Sequence, residues 1–174
     1  MGHTGKLFAY EHYGITPDIL SSAKALGGGF PIGAILTTDK IAPTFGPGTH
    51  GSTFGGNPMA CAVGSRAFDI INDPETLAHV EKQGQKLQTT LRELGEKTGV
   101  FKEVRGMGLL IGCVLADKYQ GRASEITAAA LKHGLMVLVA GSDVVRFAPS
   151  LLLNDEDMAE GLKRLEAALT EWIV

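Results

Sequence analysis

The chain has 174 residues, 44% of them hydrophobic, with 16 basic and 19 acidic side chains and a net charge of −3. That length suffices to bury one sizeable core, and balanced charge without a basic block offers no footprint for nucleic acid or an anionic membrane surface. No apolar run approaches the roughly 20 residues needed to cross a bilayer, and Met1–Lys6 is too polar and glycine-rich to be a signal-peptide core.

Residues 1–56 read as short strands and loops, and most of the glycines fall within residues 1–64. Pro17-Asp18-Ile19-Leu20-Ser21 is a strand leading to Lys24, and Ile32–Thr38 is a second β-rich run. Asn57-Pro58 combines a helix cap with proline at the first helical position. The helix that follows carries Met59, Val63, Ala67, Ile70 and Ile71 at helical spacing and ends near Asn72-Asp73.

Pro74 starts a second helix of about six turns, whose apolar face is Leu77, Val80, Leu87, Leu91 and Leu94. Two strands follow, Val100–Arg105 and Gly108–Leu115, joined by Gly106-Met107. A helix over Ala123–His133, strands over Leu135–Ala140 and Val144–Phe147, and a helix from Asp155 to Trp172 complete the chain. Asn154 or Asp155 caps the last helix, and the acidic Asp155-Glu156-Asp157 suits its positive end. Residues 74–174 therefore alternate as a small α+β domain with a mainly antiparallel sheet. Cys61 and Cys113 show no CxxC or disulfide-rich pattern and read as buried, reduced thiols of a cytoplasmic protein. The five histidines lack metal-ligand spacing, so no metal site is expected.

One short stretch carries chemistry. In Ser21-Ser22-Ala23-Lys24-Ala25-Leu26-Gly27-Gly28-Gly29 a single lysine stands between a strand and a loop almost without side chains. A partly desolvated amine there would have a lowered pKa and act as a nucleophile toward carbonyls. Three glycines let the backbone approach a bulky group closely. Downstream, Ser52 and Thr53 lie in Gly51-Ser-Thr-Phe-Gly-Gly56, where hydroxyls and amides of a glycine-rich loop suit a phosphate. Arg146 is a charge inside the otherwise apolar Val144-Val145-Arg146-Phe147, and a planar guanidinium there suits a carboxylate or a structural ion pair. Arg105 reads as structural, and His50 as either a site residue or a loop brace.

The lysine segment, Phe30-Pro-Ile-Gly33 and Gly48-Thr-His-Gly-Ser-Thr-Phe-Gly-Gly-Asn-Pro58 together resemble the class III aminotransferases that use pyridoxal phosphate. The resemblance is nearest to their acetylornithine and succinylornithine branch, and it runs from Thr4-Gly5-Lys6 to Arg146-Phe147-Ala148-Pro149. It implies an α/β fold: residues 1–73 as the C-terminal portion of a pyridoxal phosphate-binding large domain, and residues 74–174 as the small α+β domain. It assigns Lys24 as the Schiff-base lysine and proton carrier, and Thr53 as a phosphate contact made across a subunit interface. Ser52 is placed on the substrate side, and Arg146 as the grip on the α-carboxylate of glutamate or 2-oxoglutarate. A homodimer follows from that shared phosphate.

The family's upstream phosphate-binding pair, its ring-stacking aromatic and the Asp-Glu-x-Gln strand that supports the pyridine nitrogen have no counterpart here. The chain is thus expected to be the C-terminal part of a longer or split enzyme, completed by an N-terminal segment. The expected reaction is transamination of N-acetylornithine or N-succinylornithine with 2-oxoglutarate; the alternative is an inactive fragment acting as a folding or dimerisation module. A nucleotide-binding module is disfavoured, because Gly27-Gly28-Gly29 is neither GxGxxG nor GxxxxGK[ST].

Overall fold

The computed structural model describes residues 1–173. The chain divides into two units: Met1–Gly2 with Lys6–Leu77, and His3–Gly5 with Ala78–Val174.

The first unit is built on two short strands, β1 (Ile19–Ser22) and β2 (Ala34–Thr37), and one helix, α1 (Pro58–Ile71). β1 and β2 pair antiparallel, from Ile19 opposite Thr37 to Ser22 opposite Ala34. The connection explains that direction. Residues 23–33 hold only a 3-10 turn (Lys24–Gly27), whereas a parallel crossover needs a dozen or more residues, usually as a helix. Gly27 is buried in that turn, and a Cβ there would lie 2.7 Å from Ile32 Cγ2. Asn57 caps α1 by accepting a 2.9 Å hydrogen bond from the Ala60 amide, with Pro58 in the first turn.

The face that α1 buries differs from the one its sequence suggests. Ala60, Gly64 and Ile71 are buried, while Met59, Val63 and Ile70 are exposed. The cause is a small-residue contact. At Gly64 a Cβ would meet Ile32 Cδ1 at 3.3 Å and the Leu26 carbonyl at 3.5 Å, so the helix approaches the lysine turn along its glycine side. Met59, Val63 and Ile70 of the expected apolar stripe are left open.

The second unit begins on α2 (Pro74–Thr98), whose N-terminus is capped by Asp73 accepting from the Thr76 amide at 3.0 Å. Its elements follow as β3 (Phe101–Met107), β4 (Leu110–Leu115), α3 (Ala123–Lys132), β5 (Leu138–Val139), β6 (Val144–Phe147) and α4 (Asp155–Ile173). The sheet is wholly antiparallel in the order β3-β4-β6-β5. β5 is shorter than its sequence implies, because the Leu135 amide is still spent on the Ala130 carbonyl at the end of α3 (2.9 Å). Asn154, not Asp155, caps α4, accepting from the Asp157 amide at 2.7 Å. Asp155 instead receives Gln83 and Lys86 from α2, which hold its carboxyl below the usual aspartate range.

One core fills this unit. Ile111, Cys113, Leu115 and Val145 on one sheet face meet Val80, Leu87 and Leu91 of α2, Ile126 of α3, and Leu165 and Leu169 of α4. Alternation along the strands puts Arg105, Gly112, Val144 and Arg146 on the opposite, outer face. At the β3–β4 turn the backbones come unusually close. A Cβ on Gly84 would sit 2.2 Å from the Gly108 carbonyl, and one on Gly108 would sit 2.4 Å from the His3 carbonyl. His3 is fastened there by the Leu109 amide, which donates to its carbonyl at 2.8 Å, and by its own Nε2, which donates to the Pro149 carbonyl at 3.1 Å.

Two measurements check this arrangement. Gly84→Ala forces a methyl into backbone that cannot move aside, and should destabilise the second unit by about 1–3 kcal/mol in urea unfolding; an unchanged midpoint would refute the close approach. Cys113 is fully buried with its thiol pushed up to about 12 by burial, while Cys61 on α1 is exposed, contrary to the expectation that both are buried. A thiol reagent should therefore titrate one cysteine in the native protein and two after denaturation.

Candidate active site

Lys24 follows β1 and opens the 3-10 turn, with φ at 55°. Among the described residues it is the sole non-glycine with positive φ. A side chain in this left-handed region is strained, and such strain gathers at functional sites. The surrounding geometry imposes it: Ala23 before it is extended, and Gly28 closes the turn, also left-handed at φ 55°, with its amide donating to the Ala25 carbonyl at 3.0 Å. The lysine lines an open hollow of about 400 Å³ with Gly28, Gly29, Phe30 and Pro31. Its side chain is exposed, which corrects the expectation of partial desolvation.

Ser52 lines a different hollow, of about 730 Å³, with Gly33, Ile35, Thr37, Phe45 and His50. Thr53, its neighbour, is exposed and lies outside that lining. The loop is anchored at its far end. The Gly55 amide donates to the Ser52 carbonyl (3.4 Å), the Asn57 amide to Phe54 (3.3 Å), and Asn57 also caps α1. Gly51 and Gly56 have nothing within 4 Å of where a Cβ would stand, so the loop backbone is open to a ligand. His50 packs edge-on against Phe45 with ring centroids 5.5 Å apart, and its Nδ1 meets the Thr49 hydroxyl at 3.1 Å, so it braces this loop while lining the hollow.

In the second unit, Arg146 lies on β6 opposite Gly112 of β4 and Leu138 of β5. Its Nε is enclosed and has no hydrogen-bond partner among the described residues, and none of the ion pairs there includes it. A buried guanidinium nitrogen without an acceptor is costly, so the structural ion pair that sequence allowed at this position is absent among those residues. Gly112, which keeps the outer face clear beside Arg146, was not singled out from sequence; the signal was a glycine inside a strand.

The residues present suit pyridoxal phosphate on their chemistry. Lys24 offers an accessible amine over a glycine floor, and the Ser52–Thr53 loop offers hydroxyls and open backbone.

Comparison with known proteins places these features in one family. The model of aminotransferase class-III matches residues 1–169, and the chain belongs to that family. An acetylornithine aminotransferase of Neisseria meningitidis serogroup B is 81% identical over 172 residues, covering 99% of this chain and 43% of that protein. A succinylornithine transaminase/acetylornithine aminotransferase of Pseudomonas aeruginosa is 53% identical over 173 residues, again across 43% of its length. The crystal structure of N-acetylornithine aminotransferase from Stenotrophomonas maltophilia superimposes with a TM-score of 0.91 at 45% identity, covering 99% of this chain and 44% of that one. The chain thus spans less than half the length of the relatives it matches.

The strain at position 24 has a measurable consequence. Lys24→Gly, which accepts φ 55° freely, should be more stable than Lys24→Ala by about 1 kcal/mol in thermal unfolding. Equal stability would show that the turn relaxes when the lysine is removed.

Proposed function

We propose that this chain carries the amine, part of the phosphate grip and the carboxylate grip of a pyridoxal phosphate-dependent transaminase acting on N-acetylornithine or N-succinylornithine with 2-oxoglutarate. The observation that carries the reading is Lys24, held left-handed at a glycine-floored hollow, in a chain 81% identical to an acetylornithine aminotransferase.

When bound, pyridoxal phosphate supplies an aldehyde and an electron-withdrawing ring. The chain's own residues would do the rest. Lys24 Nζ would be the amine that holds the group through that aldehyde, and its free amine would carry the proton to and from the substrate carbon bearing nitrogen. Thr53 and the amides of residues 51–56 would hold the phosphate, by resemblance across a subunit interface, which makes the working form a homodimer. Ser52 would face the substrate, and Arg146 would take its α-carboxylate through the nitrogen now lacking an acceptor. Residues 1–73 would act as the C-terminal portion of the cofactor-binding domain and residues 74–174 as the small domain, in a cytoplasmic enzyme.

A second reading, an inactive fragment serving folding or dimerisation, is favoured by two observations. The chain spans 43% of its relative, and the first unit leaves Ile35, Phe54, Met59 and Ile70 exposed. A complementary N-terminal segment would cover such surface and supply the acid for the pyridine nitrogen.

Titration of the purified chain with pyridoxal phosphate, alone and with the upstream part of a relative added, separates the two. The proposed function expects a visible absorbance band that is lost in Lys24→Ala and altered by N-acetylornithine. A band unaffected by that substitution, or none under either condition, favours the inactive fragment.

A further inference from the structure

We propose that the second unit binds a small, uncharged, hydrocarbon-like molecule, a single ring with a short branch, in a cavity between β5, the end of β6 and α4. Neither Lys24 nor the carboxylate role proposed for Arg146 enters into it.

The cavity measures about 250 Å³ and is lined by Leu87 of α2, Leu135 and Val137 ahead of β5, and Met158, Leu162 and Leu165 of α4. Leu87, Val137, Met158 and Leu165 are buried and form its floor, whereas Met136 and Leu138 are exposed and stand where it opens. A water held inside a protein needs two to four polar partners, which these six side chains do not offer. An apolar cavity of about 150 Å³ stays dry and takes up benzene, so this one has room for a ring with a branch. Its two charged lining residues, Arg146 and Asp157, carry opposite signs and favour neither an anion nor a cation. Asp157 is also engaged, its Oδ2 accepting from Asn154 Nδ2 at 2.9 Å.

Gly161 gives an independent indication. It lies inside α4 and lines the cavity, although glycine suits a helix interior less than any residue but proline. The other α-helical glycines among the described residues are required by close approach. A Cβ would come within 3.3 Å of Ile32 at Gly64, 2.2 Å of the Gly108 carbonyl at Gly84 and 2.9 Å of the Phe101 carbonyl at Gly95. At Gly161 a Cβ would meet only Leu135 Cδ1, at an ordinary 3.7 Å. Alanine would fit there and strengthen the helix, so what the glycine preserves is space on the cavity side. A core that is close-packed elsewhere thus leaves this volume open at the expense of α4.

The test follows backbone amide NMR shifts of the whole 174-residue chain on titration with toluene, and with benzoate and benzylammonium as charged molecules of similar shape. Toluene should bind saturably, with shifts centred on residues 135–138 and 158–162, and at least about tenfold more tightly than either ion. Gly161→Ala should weaken toluene at least about threefold while raising the midpoint of thermal unfolding by about 2–4 °C, which separates lost binding from lost folding. Gly161→Leu, which fills the space, should abolish binding. The proposal fails if toluene does not saturate, if the ions bind as well as toluene, or if Gly161→Ala binds toluene as the wild type does. A lowered midpoint for Gly161→Ala also overturns it, because the glycine would then have a packing reason. Adding the upstream part of a relative should leave toluene bound; if that part displaces it, the cavity is the seat of a side chain and the proposal is overturned.

Discussion

The second unit depends on a contact that no side chain makes. Gly84 on α2, Gly108 at the β3–β4 turn and the backbone of His3 lie against one another at distances only bare backbone permits. This closeness presses the longest helix onto the sheet's first hairpin, so Val80, Leu87 and Leu91 reach the row formed by Ile111, Cys113 and Leu115. Once that face is buried, strand alternation leaves Arg105, Gly112 and Arg146 no choice but the other side. The outer face that carries these arginines is therefore a by-product of where the core is packed most tightly.

Much of this was legible in the sequence because it is written in local signals. Asn57-Pro58, the Val80–Leu94 periodicity and the β-branched runs at residues 110–115 and 144–147 name their elements through caps and spacing. Lys24, Ser52, Thr53 and Arg146 drew attention for a different reason: they sit in motifs that resemble a known family, and the model of that family matches residues 1–169. What stayed hidden is what depends on distant partners. The turn of α1 toward Gly64 was not visible, because Met59, Val63 and Ile70 form the better apolar stripe by composition alone. The pairing of β1 with β2 was not visible either, since strand direction is set by the connection between them. Nor does periodicity reveal that Lys24 adopts φ 55°, a property imposed by the extended Ala23 and the glycines after it.

The two units treat apolar surface differently. The second closes one continuous core, with Leu91, Leu109, Leu165 and Leu169 among its fully buried residues. The first shows Tyr13, Ile35, Leu36, Phe54 and Met59 to solvent on strands, loop and helix alike. An apolar exposure of this breadth marks a surface made to be covered. It agrees with a chain that spans less than half of its relatives.

The left-handed lysine has an implication for descent. A backbone conformation that glycine or asparagine adopts more readily exerts a steady bias against lysine in any lineage where the amine has ceased to be useful. With the role proposed for Lys24, chemistry and folding pull in opposite directions at this one codon. On that role, copies of the gene freed from catalysis should lose Lys24 early, while the cap of α1, which serves the fold, persists. The identity of residue 24 across such copies is therefore a record of how long each has been idle.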